Sequence, residues 1–123
     1  MDIDNLNIAE ESYDEKFLRK ALDTIRENYI NSEYELSDFI KAMGVSKSLL
    51  NKKMQIITGQ STGNFIRNYR LKMAHGMILK SRGNMNISEI AFEVGFNDPK
   101  YFTRCFTKHY GIAPSNLNRE NEK

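Results

Sequence analysis

The chain is short of the residues that build covalent cross-links and membrane spans. Its 123 residues include one cysteine, two prolines and no tryptophan. A single thiol excludes an internal disulfide and leaves no cysteine cluster for a structural metal. No apolar run approaches the roughly 18 residues that a membrane span needs, and the acidic start MDIDNLNIAEES is unlike a signal peptide. These absences predict a cytoplasmic location.

The sequence also lacks the groupings that enzymes and cofactor sites use. His75 and His109 have no nucleophile and acid arranged around them, and no glycine-rich phosphate loop occurs. Cys105 and His109 are spaced as a metal-binding pair on one helix could be, but two ligands do not make a site. We therefore predict no catalytic residue, no cofactor, no metal and no small-molecule ligand in this domain.

The charged residues are divided unevenly along the chain. The formal net charge is only +2, yet residues 1–40 carry 11 acidic and 4 basic side chains, and residues 41–123 carry 5 acidic and 14 basic ones. A basic segment of this kind favours a polyanionic partner such as nucleic acid. One basic face is also a common way to keep a protein soluble, so charge alone leaves both interpretations open.

Apolar residues at helical spacing run through the whole chain. Ser12 and Glu15 form a capping-box pattern that predicts a leading helix over residues 13–30. Further capping residues and glycines delimit three more helices. These are a short helix opened by Ser37 and ended by Gly44, a helix capped by Ser46 and ended by Gly59, and a long helix from Ser61 to about Ser81.

The pattern of residues 36–59 then recurs. LSDFIKAMGV aligns with ISEIAFEVGF at an offset of 51 residues, and past the turn an offset of 52 pairs Leu50 with Phe102 and Met54 with Phe106. Each copy is a short helix, a turn with glycine and a longer second helix, which is the layout of a helix-turn-helix. We predict an all-α fold, with two helix-turn-helix units joined by a long linker helix and about seven helices.

This organisation predicts six segments, with the four paired residues above buried. The segments are an N-terminal linker (1–12), a leading helix (13–35), the first helix-turn-helix unit (36–60), the linker helix (61–82), the second unit (83–118) and a tail (119–123).

The outward faces of the two second helices carry the chemistry. Cations there can meet phosphates or guanine, and short polar side chains can hydrogen-bond base edges in the major groove. A merely solvated face would more often mix Glu with Lys, whereas no outward acid lies past the Asp98 cap, so the pattern favours DNA. The outward residues are Lys47, Ser48, Asn51, Lys52 and Gln55 in the first copy, and Lys100, Thr103, Arg104, Thr107 and Lys108 in the second.

Three strings of residues point to one family. They are GVSKSLLNKKMQIITGQS, NYRLKMA in the linker helix and, most specifically, ISEIAFEVGFNDPKYFTRCFTKHYGIAPS. On these strings residues 36–117 resemble the DNA-binding domain of AraC/XylS-type transcription regulators. TGQS, RLKMA and YFTRCF are most similar to the output domain of hybrid two-component regulators, and DEKFLRKALDTIRENY resembles the helix that follows their receiver domain. The resemblance implies a fragment of a longer protein with receiver and sensor domains upstream.

The resemblance also implies roles for individual side chains. Arg104 is the strongest candidate for base reading, because its planar fork can engage guanine O6 and N7 together, with a phosphate contact or surface ion pair as the alternative. Arg70, beside the apolar stripe of the linker helix, is interpreted as structural. The base-reading residues would be Ser48, Asn51, Lys52, Lys100 and Arg104, and the phosphate contacts Lys47, Lys53, Thr103 and Lys108.

Two of the chain's departures from the family pattern concern the start of the linker helix and the C-terminal end. The family's linker helix often begins Ser-Pro, whereas Thr62 and Gly63 follow Ser61 here, so the preset first helical residue is lost. Leu117 stands where the family usually has tyrosine. Neither position is among the candidate DNA contacts.

Two functions from different classes remain open. The first is a sequence-specific, non-catalytic domain that binds double-stranded DNA, with two recognition helices in successive major-groove segments and RNA polymerase as a further partner. The resemblance places it in the cytoplasm and is compatible with a membrane-anchored parent protein. The alternative is a helical protein-interaction module that docks on a receiver domain or on RNA polymerase.

Overall fold

The computed structural model describes residues 12–118, and within them every regular element is helical. The predicted all-α fold with two helix-turn-helix units is confirmed, and the last of the about seven predicted helices is a single 3₁₀ turn. Residues 1–11 of the predicted N-terminal linker and the whole predicted tail lie outside the described residues. The elements are α1 (Tyr13–Asn28), α2 (Leu36–Met43), α3 (Lys47–Thr58), α4 (Thr62–Ser81), α5 (Ile87–Glu93), α6 (Pro99–Tyr110) and the 3₁₀ turn Pro114–Asn116.

Four helices begin at the capping residues that the sequence predicted. Each cap accepts a hydrogen bond from a backbone N–H that has no partner inside its helix, and losing such a cap costs about 0.5–2 kcal/mol. Pro99 follows its cap at the first helical position. The caps are Ser12 to Glu15 N (3.1 Å), Ser46 to Leu49 N (3.2 Å), Ser61 to Asn64 N (3.2 Å) and Asp98 to Lys100 N (2.9 Å).

The predicted start of α2 at Ser37 is wrong. The helix begins one residue earlier with Glu35 as its N-cap, because the Asp38 carboxylate accepts a hydrogen bond from the Glu35 N–H at 2.9 Å. The equivalent helix α5 has the same arrangement, with Asn86 as N-cap and Glu89 three residues later. The acid of a capping box stands three residues after the cap, so it fixes the cap position in both copies.

The buried side chains form two cores that share α4. The N-terminal half of α4 packs into the first core and its C-terminal half into the second. All four paired residues predicted to be buried are fully buried: Leu50, Met54, Phe102 and Phe106. The first core contains Ala21, Ile25, Phe39, Met43, Leu50, Met54, Phe65 and Ile66, and the second Leu71, Ala74, Ile78, Ile90, Ala91, Val94, Phe96, Phe102, Phe106 and Leu117.

Arg70, near the middle of α4, joins the two halves. Its Nε donates to the Tyr29 carbonyl at 3.0 Å, and its Nη2 donates to the carbonyls of Asn31 (3.0 Å) and Tyr34 (3.3 Å) in the connection between α1 and α2. Burial lowers the pKa of the Arg70 guanidinium by desolvation. The structural role expected for Arg70 is confirmed.

Gly95, in the turn of the second unit, lies against the Tyr29 carbonyl and the Arg70 guanidinium that bind each other. Its φ of +96° lies in the left-handed region, which favours glycine. A Cβ at this position would stand 2.0 Å from the Tyr29 carbonyl oxygen and 2.8 Å from Arg70 Nε. The end of α1, the middle of α4 and the turn of the second unit therefore meet at one point, and a side chain at residue 95 would push them apart.

Truncating Phe106 tests the register of α6. Phe106→Ala is expected to lower the free energy of unfolding by about 3–5 kcal/mol, since it opens a cavity in the second core. Phe92→Ala is the matched control, because Phe92 is 54% exposed on α5 and its loss removes little buried surface. Thermal and urea unfolding measure both variants. An unchanged melting temperature for Phe106→Ala would show that the register of α6 is wrong.

Candidate nucleic-acid interface

The second helix of each unit is basic and contains no acidic residue. Among residues 12–118, none of the six cations on these helices forms an ion pair within the protein. Their charge is therefore available to an external anion, and a polyanion would bind with release of its counterions. The cations are Lys47, Lys52 and Lys53 on α3, and Lys100, Arg104 and Lys108 on α6.

The 52-residue offset puts the site residues of the two helices in the same register. Ser48 matches Lys100 and Lys52 matches Arg104, and all four side chains are exposed opposite the buried pairs. Asn51 matches Thr103, and both of these are half-buried at the flank of the face. The structure thus gathers the sequence-predicted residues on two equivalent faces, one in each unit. Lys47 and Lys108 are also exposed, and Lys53 is half-buried.

Arg104 is held by an aromatic ring. Its guanidinium carbon lies 5.6 Å from the centroid of the Tyr101 ring, one turn earlier on α6. The Tyr101 ring lies in turn 6.1 Å from that of Phe96 in the second core. A cation–π contact of this kind contributes about 0.5–1 kcal/mol at an exposed site and limits the rotamers of the arginine. The contact therefore favours one orientation of the Arg104 guanidinium in the absence of a ligand.

Lys53 has an aromatic partner on a different element. Its Nζ lies 5.5 Å from the centroid of the Phe17 ring of α1. Lys53 and Phe17 are far apart in sequence, so the contact could not be inferred from spacing. It brings the leading helix to the edge of the basic face of α3.

Asn51 has a structural bond that the sequence did not indicate. Its Oδ1 accepts hydrogen bonds from the Thr62 backbone N–H (3.3 Å) and from the Thr62 hydroxyl. Thr62 is fully buried, and a buried hydroxyl needs a partner. This bond fixes the start of α4, where the family's usual proline is absent. Only the Nδ2 group of Asn51 is left for the predicted base contact.

Arg67 belongs to the same surface, although sequence reasoning missed it. It lines a cleft of about 600 Å³ that is formed by α4, the connection between α1 and α2, and the second unit, and that Tyr101 and Arg104 also line. Its Nη2 donates to Asn64 Oδ1 at 2.7 Å. The sequence feature that could have identified Arg67 is the absence of acidic residues from α4, which α4 shares with α3 and α6. A helix that serves only as a spacer would more often carry both signs of charge.

The remaining polar candidates have packing roles. The His75 ring lies 4.6 Å from Tyr110 and 6.2 Å from Phe106, and Cys105 packs half-buried against the second core. Over residues 12–118, no three or more His, Cys, Asp and Glu side chains are grouped so as to hold a metal. None of the helices in that range is both long enough and apolar enough to cross a membrane.

A family model described as a helix-turn-helix domain matches residues 39–120. The chain belongs to the AraC/XylS-type helix-turn-helix family. This family consists of DNA-binding domains of transcription regulators and is not an enzyme class. The expected family and general function are therefore confirmed.

Relatives show how this AraC/XylS-type domain occurs in longer proteins. Over 113 residues it is 35% identical to "Histidine kinase P4" of Formosa agariphila, covering 91% of this chain and 8% of that protein. It is 32% identical over 95 residues to "Transcriptional activator RhrA" of Rhizobium meliloti, covering 77% of this chain and 30% of that protein. The chain thus spans less than a third of either relative.

A solved structure shares the fold over nearly its whole length. It is the C-terminal domain of AraT, a response regulator from Geobacillus stearothermophilus, with a TM-score of 0.77 and 25% identity. The match covers 89% of this chain and 88% of that one. The arrangement of two helix-turn-helix units about a linker helix is therefore shared with that domain.

The bond between Asn51 and Thr62 can be tested without DNA. Asn51→Ala is expected to lower the free energy of unfolding by about 1–3 kcal/mol, because it leaves the buried Thr62 hydroxyl without an acceptor. Lys52→Ala, at the exposed neighbouring position, should change the stability by less than about 0.5 kcal/mol. Urea unfolding compares the two. Equal stability of both variants would show that the bond to Thr62 does not stabilise the fold, and the whole Asn51 amide could then contact a base.

Proposed function

We propose that this domain binds double-stranded DNA in a sequence-specific manner, with the N-terminal parts of α3 and α6 in successive segments of the major groove. The observation that carries the proposal is the pair of equivalent faces, which hold six cations and no acid, and whose cations make no ion pair among residues 12–118. In helix-turn-helix proteins the second helix enters the major groove and its N-terminal residues contact base edges.

Base reading is assigned to the residues nearest the centre of each face. Lys52 and Arg104 occupy the same position in the two units, and Arg104 is preoriented to take guanine O6 and N7 together. Ser48 and Lys100 lie one turn earlier and read the adjacent bases. Asn51 contributes through Nδ2 alone, since its Oδ1 is engaged by Thr62.

Phosphate contacts are assigned to the flanks of the two faces. Cations there meet the backbone whatever the base sequence, and Arg67 joins them because it lines the cleft beside Arg104. The half-buried Thr103 offers a hydroxyl rather than a charge. The proposed phosphate contacts are Lys47, Lys53, Arg67, Thr103 and Lys108.

The linker helix sets the spacing of the two units. The 20 residues of α4 make a rod of about 30 Å, and the flanking turns can place the recognition helices about 34 Å apart, which is one turn of duplex. One copy of the domain would then read two subsites on one face of the DNA.

The domain is proposed to work within a larger cytoplasmic regulator. Support comes from the relative named as a histidine kinase, of which the chain spans 8%, and from the response-regulator domain that shares its fold. We infer receiver and sensor domains upstream and RNA polymerase as the partner through which transcription changes. A parent protein anchored in the membrane fits the same arrangement.

Two substitutions separate base reading from phosphate attraction. Arg104→Ala is expected to weaken binding to the preferred site by about 1–3 kcal/mol and to relax preference at one base pair, whereas Lys53→Ala should weaken all sequences equally and reduce the salt slope by about one. Fluorescence anisotropy with specific and random duplexes over a salt series measures both. Lys80→Ala, at the far end of α4, is the control cation. Equal losses on both duplexes for Arg104→Ala would make Arg104 a phosphate contact, and binding without salt dependence would favour a protein-interaction module.

The rigid spacing predicts a strict dependence on DNA phase. Inserting about five base pairs between the subsites should turn one of them to the opposite face of the duplex and remove most of the specific affinity. Nonspecific binding should survive, because phosphate attraction does not depend on phase. The same insertion placed outside both subsites is the control. Full specific affinity after the central insertion would mean that only one unit reads sequence.

A further inference from the structure

Both recognition helices expose a large apolar side chain at the same position. Leu49 on α3 is 43% exposed and Tyr101 on α6 is 42% exposed, and the 52-residue offset makes them equivalent. Each stands three residues before the central cation of its face, so each shares that face one turn closer to the N-terminus. Single exposed apolar side chains are common on protein surfaces, so what distinguishes these two is their equivalent position within the two basic faces.

Leu49 and Tyr101 differ in the contacts that their side chains make within the protein. The Tyr101 ring contacts Phe96 and lies under Arg104, so it serves to orient the arginine. Leu49 lies outside the first core, although its backbone is fixed, because its N–H donates to the Ser46 cap at 3.2 Å. The Leu49 side chain thus projects from a rigid first turn, beside Ser48 and ahead of Lys52.

We propose that Leu49 is a specificity-determining residue that packs on the C5-methyl group of a thymine in the first subsite, next to the base pair read by Lys52. This inference rests on the proposed function. The thymine methyl is the apolar group that a base pair presents in the major groove, and an aliphatic side chain gains by covering it. Cytosine at the same place lacks the methyl group, so it would not make this contact.

The other exposed apolar residue of α3 does not share this position. Ile56 is 71% exposed, but it lies in the last turn, about 10 Å along the axis from Leu49 and away from the N-terminal part that enters the groove. Ile56 is therefore a matched control for the loss of an exposed aliphatic side chain on the same helix.

The test removes one methyl group from the DNA at a time. Preferred duplexes are first selected from a random library with the intact domain, and each thymine of the first subsite is then replaced by deoxyuridine. The native chain should lose about three- to fivefold in affinity at one thymine, as expected for one buried methyl group. Leu49→Ala should lower affinity for the thymine duplex and abolish this deoxyuridine effect, whereas Ile56→Ala should retain it. Both positions are exposed, and unfolding curves verify that both variants are folded.

The outcomes test the role of Leu49 separately from the proposed sequence-specific binding to DNA. A selected sequence without any methyl-sensitive thymine, or a deoxyuridine effect that persists in Leu49→Ala, overturns the role of Leu49 and leaves DNA reading by the other residues intact. Failure to select any sequence overturns both. A deoxyuridine effect that disappears in Leu49→Ala alone supports the inference.

Discussion

The guanidinium of Arg70 binds three backbone carbonyls in the connection between α1 and α2, and Gly95 of the second unit presses against the same place. Each half of the protein has its own core, α4 contributes buried residues to both, and Tyr29 at the end of α1 packs against both. The contact at Arg70 adds a second point of attachment, so the relative orientation of the two basic faces depends on it.

One supersecondary unit is thus used twice with different surface chemistry. The buried pairs, the capping boxes and the left-handed glycines recur, because both copies need the same short helix, tight turn and second helix. The exposed positions are not subject to this requirement, and their residues differ between the two copies. The first face combines lysine with an aliphatic leucine, and the second combines lysine with an arginine supported by a ring. The two subsites are therefore expected to differ in sequence.

The sequence predicted those features that depend on local periodicity. The two repeats, the buried phenylalanines and the caps at Ser46, Ser61 and Asp98 follow from spacing within one or two turns. The predicted start of α2 at Ser37 is wrong because Glu35 is a rarer capping residue, which only the acid at Asp38 reveals. An acid three residues downstream is a better guide to the start of a helix than a serine alone.

Contacts between distant segments could not be predicted from the chain. The bond from Asn51 to Thr62 and the approach of Arg67 to Arg104 depend on how α4 packs against its neighbours, which periodicity does not determine. Arg70 could be recognised as structural from its place beside an apolar stripe, but its partners lie 36 to 41 residues earlier. Asn51 is an example, because it lies on the flank of a basic face and yet its Oδ1 accepts two hydrogen bonds from Thr62 within the protein.

The position of Arg70 along α4 has a mechanical consequence. It lies at the boundary between the residues that pack into the first core and those that pack into the second. Three charge-assisted hydrogen bonds tie α4 to the connection between α1 and α2 at that place. A change in the angle between the two units would have to break these bonds.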